Sequence, residues 1–250
     1  MKWKNFIVGY VLALAMFLFA QRHPAPTPRP VFSSVVDLTH TYVPEARSSI
    51  EASATGNDRP GELVSAGYFP TLIQAPAKLY PGLWMIDQIP SQRLIARLVV
   101  LDVQRAAQSS RNYEVSMEDI ISWENSHGKV PMGTIVMART GWDERRNSMN
   151  QDRGMNGKVP TSFPGYSVEA ARFLVQGRNA VALGIDSPSI DSGASKNAAV
   201  RKYTEWHSVY ELDNVGNLGA VPESGANVVV APAKLQGRSN GPVRILALVK

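Results

Sequence analysis

The chain has 250 residues, of which 44% are hydrophobic and 19% charged; that is enough apolar material for one large core, near the size at which a single domain stops growing. Lys and Arg number 26 against 21 Asp and Glu, giving a formal charge of +5. The basic residues are scattered and not interleaved with stacking aromatics, which speaks against nucleic acid as a partner. With no cysteine, disulfides and a lipid on an N-terminal Cys are excluded.

At the N-terminus Lys2 and Lys4 precede an uncharged stretch from Phe6 to Ala20. This is the pattern of an export signal, and it is shorter than the roughly 20 residues of a membrane-crossing helix. Residues 1–22 are therefore expected to be a cleaved signal peptide, or else a short signal anchor, and the protein to be periplasmic or secreted. Membrane association is expected only through that segment if it stays uncleaved. Pro24, Pro26, Pro28 and Pro30 remove backbone donors and hold residues 23–30 extended, as a spacer. The folded domain is expected over residues 31–250.

Within it, short apolar runs rich in β-branched residues alternate with capped amphipathic segments, the pattern of mixed α and β structure. Strands are expected at Leu98–Val103, Gly133–Ala138, Ala180–Ile185, Asn227–Ala231 and Val243–Val249. One helix should start at Ser116, with Asp119 completing a capping box and Gly128 ending it. A second should follow Ser167 and stop at Gly177. Gly141 and Gly184 read as turn residues. Tyr80, Trp84 and Trp142 read as core or pocket-wall aromatics. Asp186 and Asp191 form a paired-carboxylate pattern, but spacing alone does not set a carboxylate separation.

Several segments carry a resemblance that covers nearly all of residues 31–250. Asp37-Leu38-Thr39-His40 opens the series. Ala75-Pro76-Ala77-Lys78-Leu79-Tyr80-Pro81-Gly82, then Trp84 and Asp87-Gln88-Ile89-Pro90, make it specific. Met137-Ala138-Arg139-Thr140-Gly141-Trp142, Gly184-Ile185-Asp186-Ser187-Pro188-Ser189-Ile190-Asp191 and Gly241-Pro242-Val243-Arg244-Ile245-Leu246-Ala247-Leu248 extend it to the end. Together they resemble the metal-dependent cyclase family, which includes kynurenine formamidases and isatin hydrolases. The resemblance implies a single α/β domain of swivelling β/β/α architecture, a homo-oligomer, and zinc or manganese hydrolysing an amide or lactam bond.

The same resemblance implies a ligand motif H-x-G-T-H-x-D-x-P-x-H with a later His and Glu, and here this sequence departs from the family. Tyr68, Leu72, Gln74 and Lys78 stand at the motif's His, His, Asp and His positions, while Arg201 and Asp213 stand at the later His and Glu. Leu72 has no donor atom, Gln74 offers a neutral carbonyl, and Lys78 would have to lose a proton before it coordinated. Asp213 by itself falls short of the three or four protein ligands zinc takes. No metal or other cofactor is therefore expected. His40 and His207 are candidates for places beside the pocket, whereas His127, ahead of Gly128, reads as a helix-end residue.

Two readings follow. In the first the fold persists as a non-catalytic, ligand-binding or assembly module, with Lys78 and Arg201 meeting Asp213 and the remaining positive charge holding a small anionic or aromatic carboxylate ligand. The alternative is an active amide or lactam hydrolase, arylformamidase-like, with a rearranged or metal-free site.

Overall fold

Two-residue alternation of side chains decides the architecture. The computed structural model describes residues 31–41, 71–145 and 161–250; the expected signal, the spacer and Tyr68 lie outside these residues. In chain order the elements are β1 (Ser34–Asp37), β2 (Leu72–Gln74), β3 (Ile95–Asp102), α1 (Gln104–Ala107), β4 (Glu114–Val115), α2 (Met117–His127), β5 (Ile135–Arg139), β6 (Gly165–Tyr166), α3 (Val168–Arg172), β7 (Ala182–Ile185), α4 (Ala199–Trp206), β8 (Tyr210–Asp213), β9 (Asn227–Pro232) and β10 (Asn240–Val249). All fall within one compact unit, Phe32–Lys250. The principal sheet runs β1-β10-β2-β8-β7-β5-β3-β9, and the long β10 also pairs with β9. That pairing closes the sheet into a barrel with β1 added outside on β10. Strands β3, β5, β7 and β8 are parallel neighbours, while β2, β9 and β10 join antiparallel.

Every second residue turns inward. Ile73, Leu98, Val100, Ile135, Met137, Ala182, Tyr210, Leu212, Val228 and Ile245 fill the barrel. Val99, Leu101, Val136, Ala138, Leu183 and Ile185 face outward and pack with α2, α3 and α4 through Ile120, Trp123, Ala170, Leu174 and Val200. The central β5 and β7 are buried on both faces and read as unbroken apolar runs, while β9 and β10 alternate buried and more exposed residues; all five expected strands are found within a few residues of their expected ends.

The two expected helices are also present. Ser116 accepts from the Asp119 amide at 3.1 Å and Asp119 accepts from the Ser116 amide at 2.8 Å, a reciprocal cap that starts α2. Gly128 ends it at φ 82. Ser167 caps α3 by accepting from the Ala170 amide at 3.1 Å, and the helix continues as a wider turn over Phe173–Gly177. Gly184 is not a turn residue. It lies within β7, where a Cβ would come within 2.9 Å of the Met137 side chain, so the close approach of β5 requires it. Gly141, at φ 73, is the turn residue expected. Among the described residues no helix is long and apolar enough to cross a membrane.

Candidate functional site

The outward face of β2 and β8 carries Gln74, Glu211 and Asp213, in contrast to the apolar outward pairs Val99 and Leu101 of β3, Val136 and Ala138 of β5 and Leu183 and Ile185 of β7. In register, Leu72 lies opposite Asp213 and Gln74 opposite Glu211, so Gln74, Glu211 and Asp213 share one face. Helix α4 covers that face and brings Arg201 and Glu205, one turn apart, down onto it. The helix starts without a cap from its own N-cap residue, Ala198, which is held at φ 49. Asp191 acts from a distance instead, accepting from the amides of Val200 at 2.9 Å and Arg201 at 3.1 Å, and so satisfies two of the free donors at the helix start.

The Arg201 guanidinium is the centre of the cluster. Its Nε lies 2.8 Å from Glu211 Oε2 and 3.9 Å from Glu205 Oε1, and Nη2 lies 3.4 Å from Asp213 Oδ2. Nη2 also donates to Ser189 Oγ at 3.1 Å. The Glu211 carboxylate is completed by the Thr204 hydroxyl, which donates to Oε1 at 2.7 Å. Gln74 bridges the second cation, because its Nε2 donates to Asp213 Oδ2 at 2.8 Å and its Oε1 accepts from Lys78 Nζ at 2.9 Å. Glu205 Oε2 accepts from the Leu79 amide at 2.8 Å. The side chains of Glu205 and Glu211 are 0% exposed, that of Asp213 1% and that of Arg201 15%.

Burial on this scale disfavours charge, and the cluster responds accordingly. Burial, reinforced by the nearby Glu211, pushes the Glu205 carboxyl up to about 8. Burial also raises Glu211 and Asp213, with Arg201 pulling both back down. For Arg201 burial works against the charge, but Glu211 and Asp213 outweigh it and hold the guanidinium protonated.

Lys78, Arg201 and Asp213 thus lie in one cluster, with Gln74 as their bridge. Leu72 is adjacent in register but contributes no polar atom. The expected surplus of positive charge is not what the cluster holds. Glu205 and Glu211, which sequence reasoning missed, add two carboxylates, so two cations face three acids. His207 is not part of it: its Nδ1 lies 2.7 Å from the Tyr203 carbonyl and its ring packs on Tyr203 at 4.3 Å, past the end of α4. His40 borders the barrel mouth. Its amide donates to Thr71 Oγ1 at 2.9 Å, and its Nε2 lies 3.1 Å from Asp143. Gly216 leaves room for the ring, since a Cβ there would come within 3.1 Å of it. His127 is the helix-end residue expected, with Nδ1 3.1 Å from the Trp123 carbonyl. Asp186 and Asp191 serve the backbone. Asp186, 2% exposed, accepts from the Thr140 amide at 2.9 Å, the Thr140 hydroxyl at 2.6 Å and the Trp142 amide at 3.1 Å, which fixes the turn after β5. Asp191 caps α4.

Do these residues fit a zinc or manganese ion? They do not. Among the described residues no group of three His, Cys, Asp or Glu is placed to hold a metal, and Asp213, the one carboxylate at the positions aligned with the family's ligands, is already directed at a guanidinium. A cation already belongs to the chain here, and what the side chains can do is hold that cation and a proton on Glu205.

A closed mixed barrel with helices outside and an ionic cluster on the β2–β8–α4 face defines an α/β protein of hydrolase-like fold. The chain belongs to the cyclase family: residues 36–192 match the family model described as "Putative cyclase". It is 28% identical over 169 residues to an isatin hydrolase of Roseibium aggregatum, covering 65% of this chain and 63% of that protein. It is 34% identical over 73 residues to a kynurenine formamidase of Polaromonas naphthalenivorans, covering 29% of this chain and 32% of that one. The aligned part thus spans less than two thirds of either relative. Among solved structures, isatin hydrolase A from Labrenzia aggregata bound to benzyl benzoate superposes with a TM-score of 0.69 at 25% identity, covering 86% of this chain and 93% of that one. Isatin hydrolase A from Ralstonia solanacearum gives the same TM-score and identity over 87% and 92%.

Proposed function

We propose that this chain is an exported, non-hydrolytic member of the cyclase family, in which a buried arginine supplies the positive charge that a metal supplies in its relatives. The observation that carries this reading is the Arg201 guanidinium seated between Glu211 and Asp213 at 2.8 and 3.4 Å. Hydrolysis by a metal centre needs an open coordination position and a polarised water. Here Glu211 and Asp213 are bonded to Arg201, Gln74 and Thr204 instead, and no group of three metal ligands remains among the described residues to generate a metal-bound hydroxide. The fold then serves binding or assembly, and a homo-oligomer is the state proposed. The small aromatic carboxylate expected at Arg201 loses its physical motive, since the guanidinium is matched by buried acids.

Isatin and N-formylkynurenine, the substrate types suggested by the names of the relatives, are the test substrates. Incubation with protein from Val31 onward, with zinc or manganese added, should give no turnover above the uncatalysed rate. Turnover that scales with protein concentration would establish the hydrolytic alternative instead.

Export rests on Lys2, Lys4 and the uncharged stretch from Phe6 to Ala20. N-terminal sequencing of periplasmic or secreted material should find a start near Gln21. Intact Met1 on cytoplasmic protein would count against it.

A further inference from the structure

We propose that a cavity away from the Arg201 cluster, where β5 and β9 begin, is a binding site for a small oxyanion. The cavity measures about 280 Å³ and is bordered by Arg97, Trp123, His127, Lys129 and Asn227 among others, a volume suited to a ligand smaller than the usual cofactor. Its frame is rigid. The segment leading into β9 is tied to β3 by the Leu98 amide donating to the Ala226 carbonyl at 2.9 Å and the Val100 amide donating to the Glu223 carbonyl at 3.0 Å. Trp123 and His127 stack at 4.6 Å with an interplanar angle of 22° on the other side.

Three observations point to an anion. Arg97 and Lys129 are exposed at the rim; Lys129 is near enough to Glu124 to help lower its carboxyl, and neither cation is among the ion pairs formed within the described residues. The acids nearby are already engaged: Glu124 is held by Arg178 at 2.6 Å, and Glu223 lies 3.9 Å from His127. Most telling is Trp123, 6% exposed, whose indole N–H is buried without an acceptor. Buried donors are nearly always paired, so a lone one beside a cationic cavity indicates an acceptor that arrives from outside. An oxyanion satisfies the indole with one oxygen and the guanidinium with others, in charge-assisted hydrogen bonds. This site is independent of the proposed loss of hydrolysis and survives if that reading fails.

The indole N–H resonance of Trp123, assigned with a Trp123→Phe variant, reports occupancy directly. Titration of the ¹⁵N-labelled protein with inorganic phosphate, at ionic strength held constant with chloride, should move that resonance saturably, with a Kd on the order of 1 mM for so small a ligand. The exposed double variant Arg97→Ala, Lys129→Ala should bind at least about tenfold more weakly, the loss expected for charged hydrogen-bond donors. A parallel titration with acetate separates a carboxylate preference from a phosphate preference. A Trp123 resonance that neither anion moves, or that moves equally in the double variant, overturns the proposal.

Discussion

Replacing Arg201 with Ala lowers the unfolding free energy by about 3–5 kcal/mol, the range for removing one partner of a buried ion pair. The guanidinium is the direct partner of Glu211 and Asp213, whose side chains are 0% and 1% exposed. Its loss leaves two buried acids facing each other with only Gln74, Thr204 and Lys78 in reach, and they must take up protons or unfold the helix cover. For a domain of this size the midpoint of thermal unfolding should fall by about 10 °C. Apolar replacement of the whole group, Arg201→Met with Glu211→Leu and Asp213→Leu, should recover most of that loss, because the penalty lies in the unpaired charge and not in the missing attraction. An Arg201→Ala variant within about 1 kcal/mol of the parent would mean that α4 does not depend on the ion pairs.

The second large effect is a dependence on pH that Glu205 imposes. Its carboxyl lies near 8 in the folded chain against about 4.3 for an unperturbed glutamate. A raised value means that the folded state holds the proton over that interval while the unfolded state releases it. The stabilisation is therefore complete below about 4.3 and is lost as pH rises through about 8. Melting curves from pH 5 to 9 should show stability declining with pH. Glu205→Gln, which stays neutral and still offers an acceptor to the Leu79 amide, should flatten the decline and be the more stable protein at pH 9 by at least about 1 kcal/mol. Parallel curves for parent and variant would assign the decline elsewhere in the cluster.

The contrast between β7 and β8 explains how much could be read in advance. Ala182-Leu183-Gly184-Ile185 is apolar on both faces because helices cover one side and the barrel interior the other, so its burial is visible in composition alone. Tyr210-Glu211-Leu212-Asp213 alternates like a strand with one wet face, and nothing in the alternation reveals that α4 closes over the acids. Glu211 and Glu205 were missed for that reason. Helix α4 escaped notice because its start lacks a neighbouring capping residue, and Asp191, eight positions before Ala199, does the capping. Lys78, Arg201 and Asp213 were found through the resemblance rather than through any local signal, and it was the two hidden acids that changed the charge assigned to their meeting point. His207 sits at the C-terminal end of α4, a position its spacing from Asp213 does not reveal because the helix that fixes it comes earlier in the chain. The Ser116–Asp119 cap and the stops at Gly128 and Gly177 were legible because everything that specifies them lies within a single turn.

The central claim is that Arg201 occupies the role of the cation. Its most direct test is metal content: equilibrium dialysis of the domain from Val31 onward against zinc and against manganese, followed by elemental analysis. The dialysed protein should hold less than about a tenth of an equivalent of either metal, the consequence of lacking three convergent ligands. Close to one metal ion per chain would contradict it.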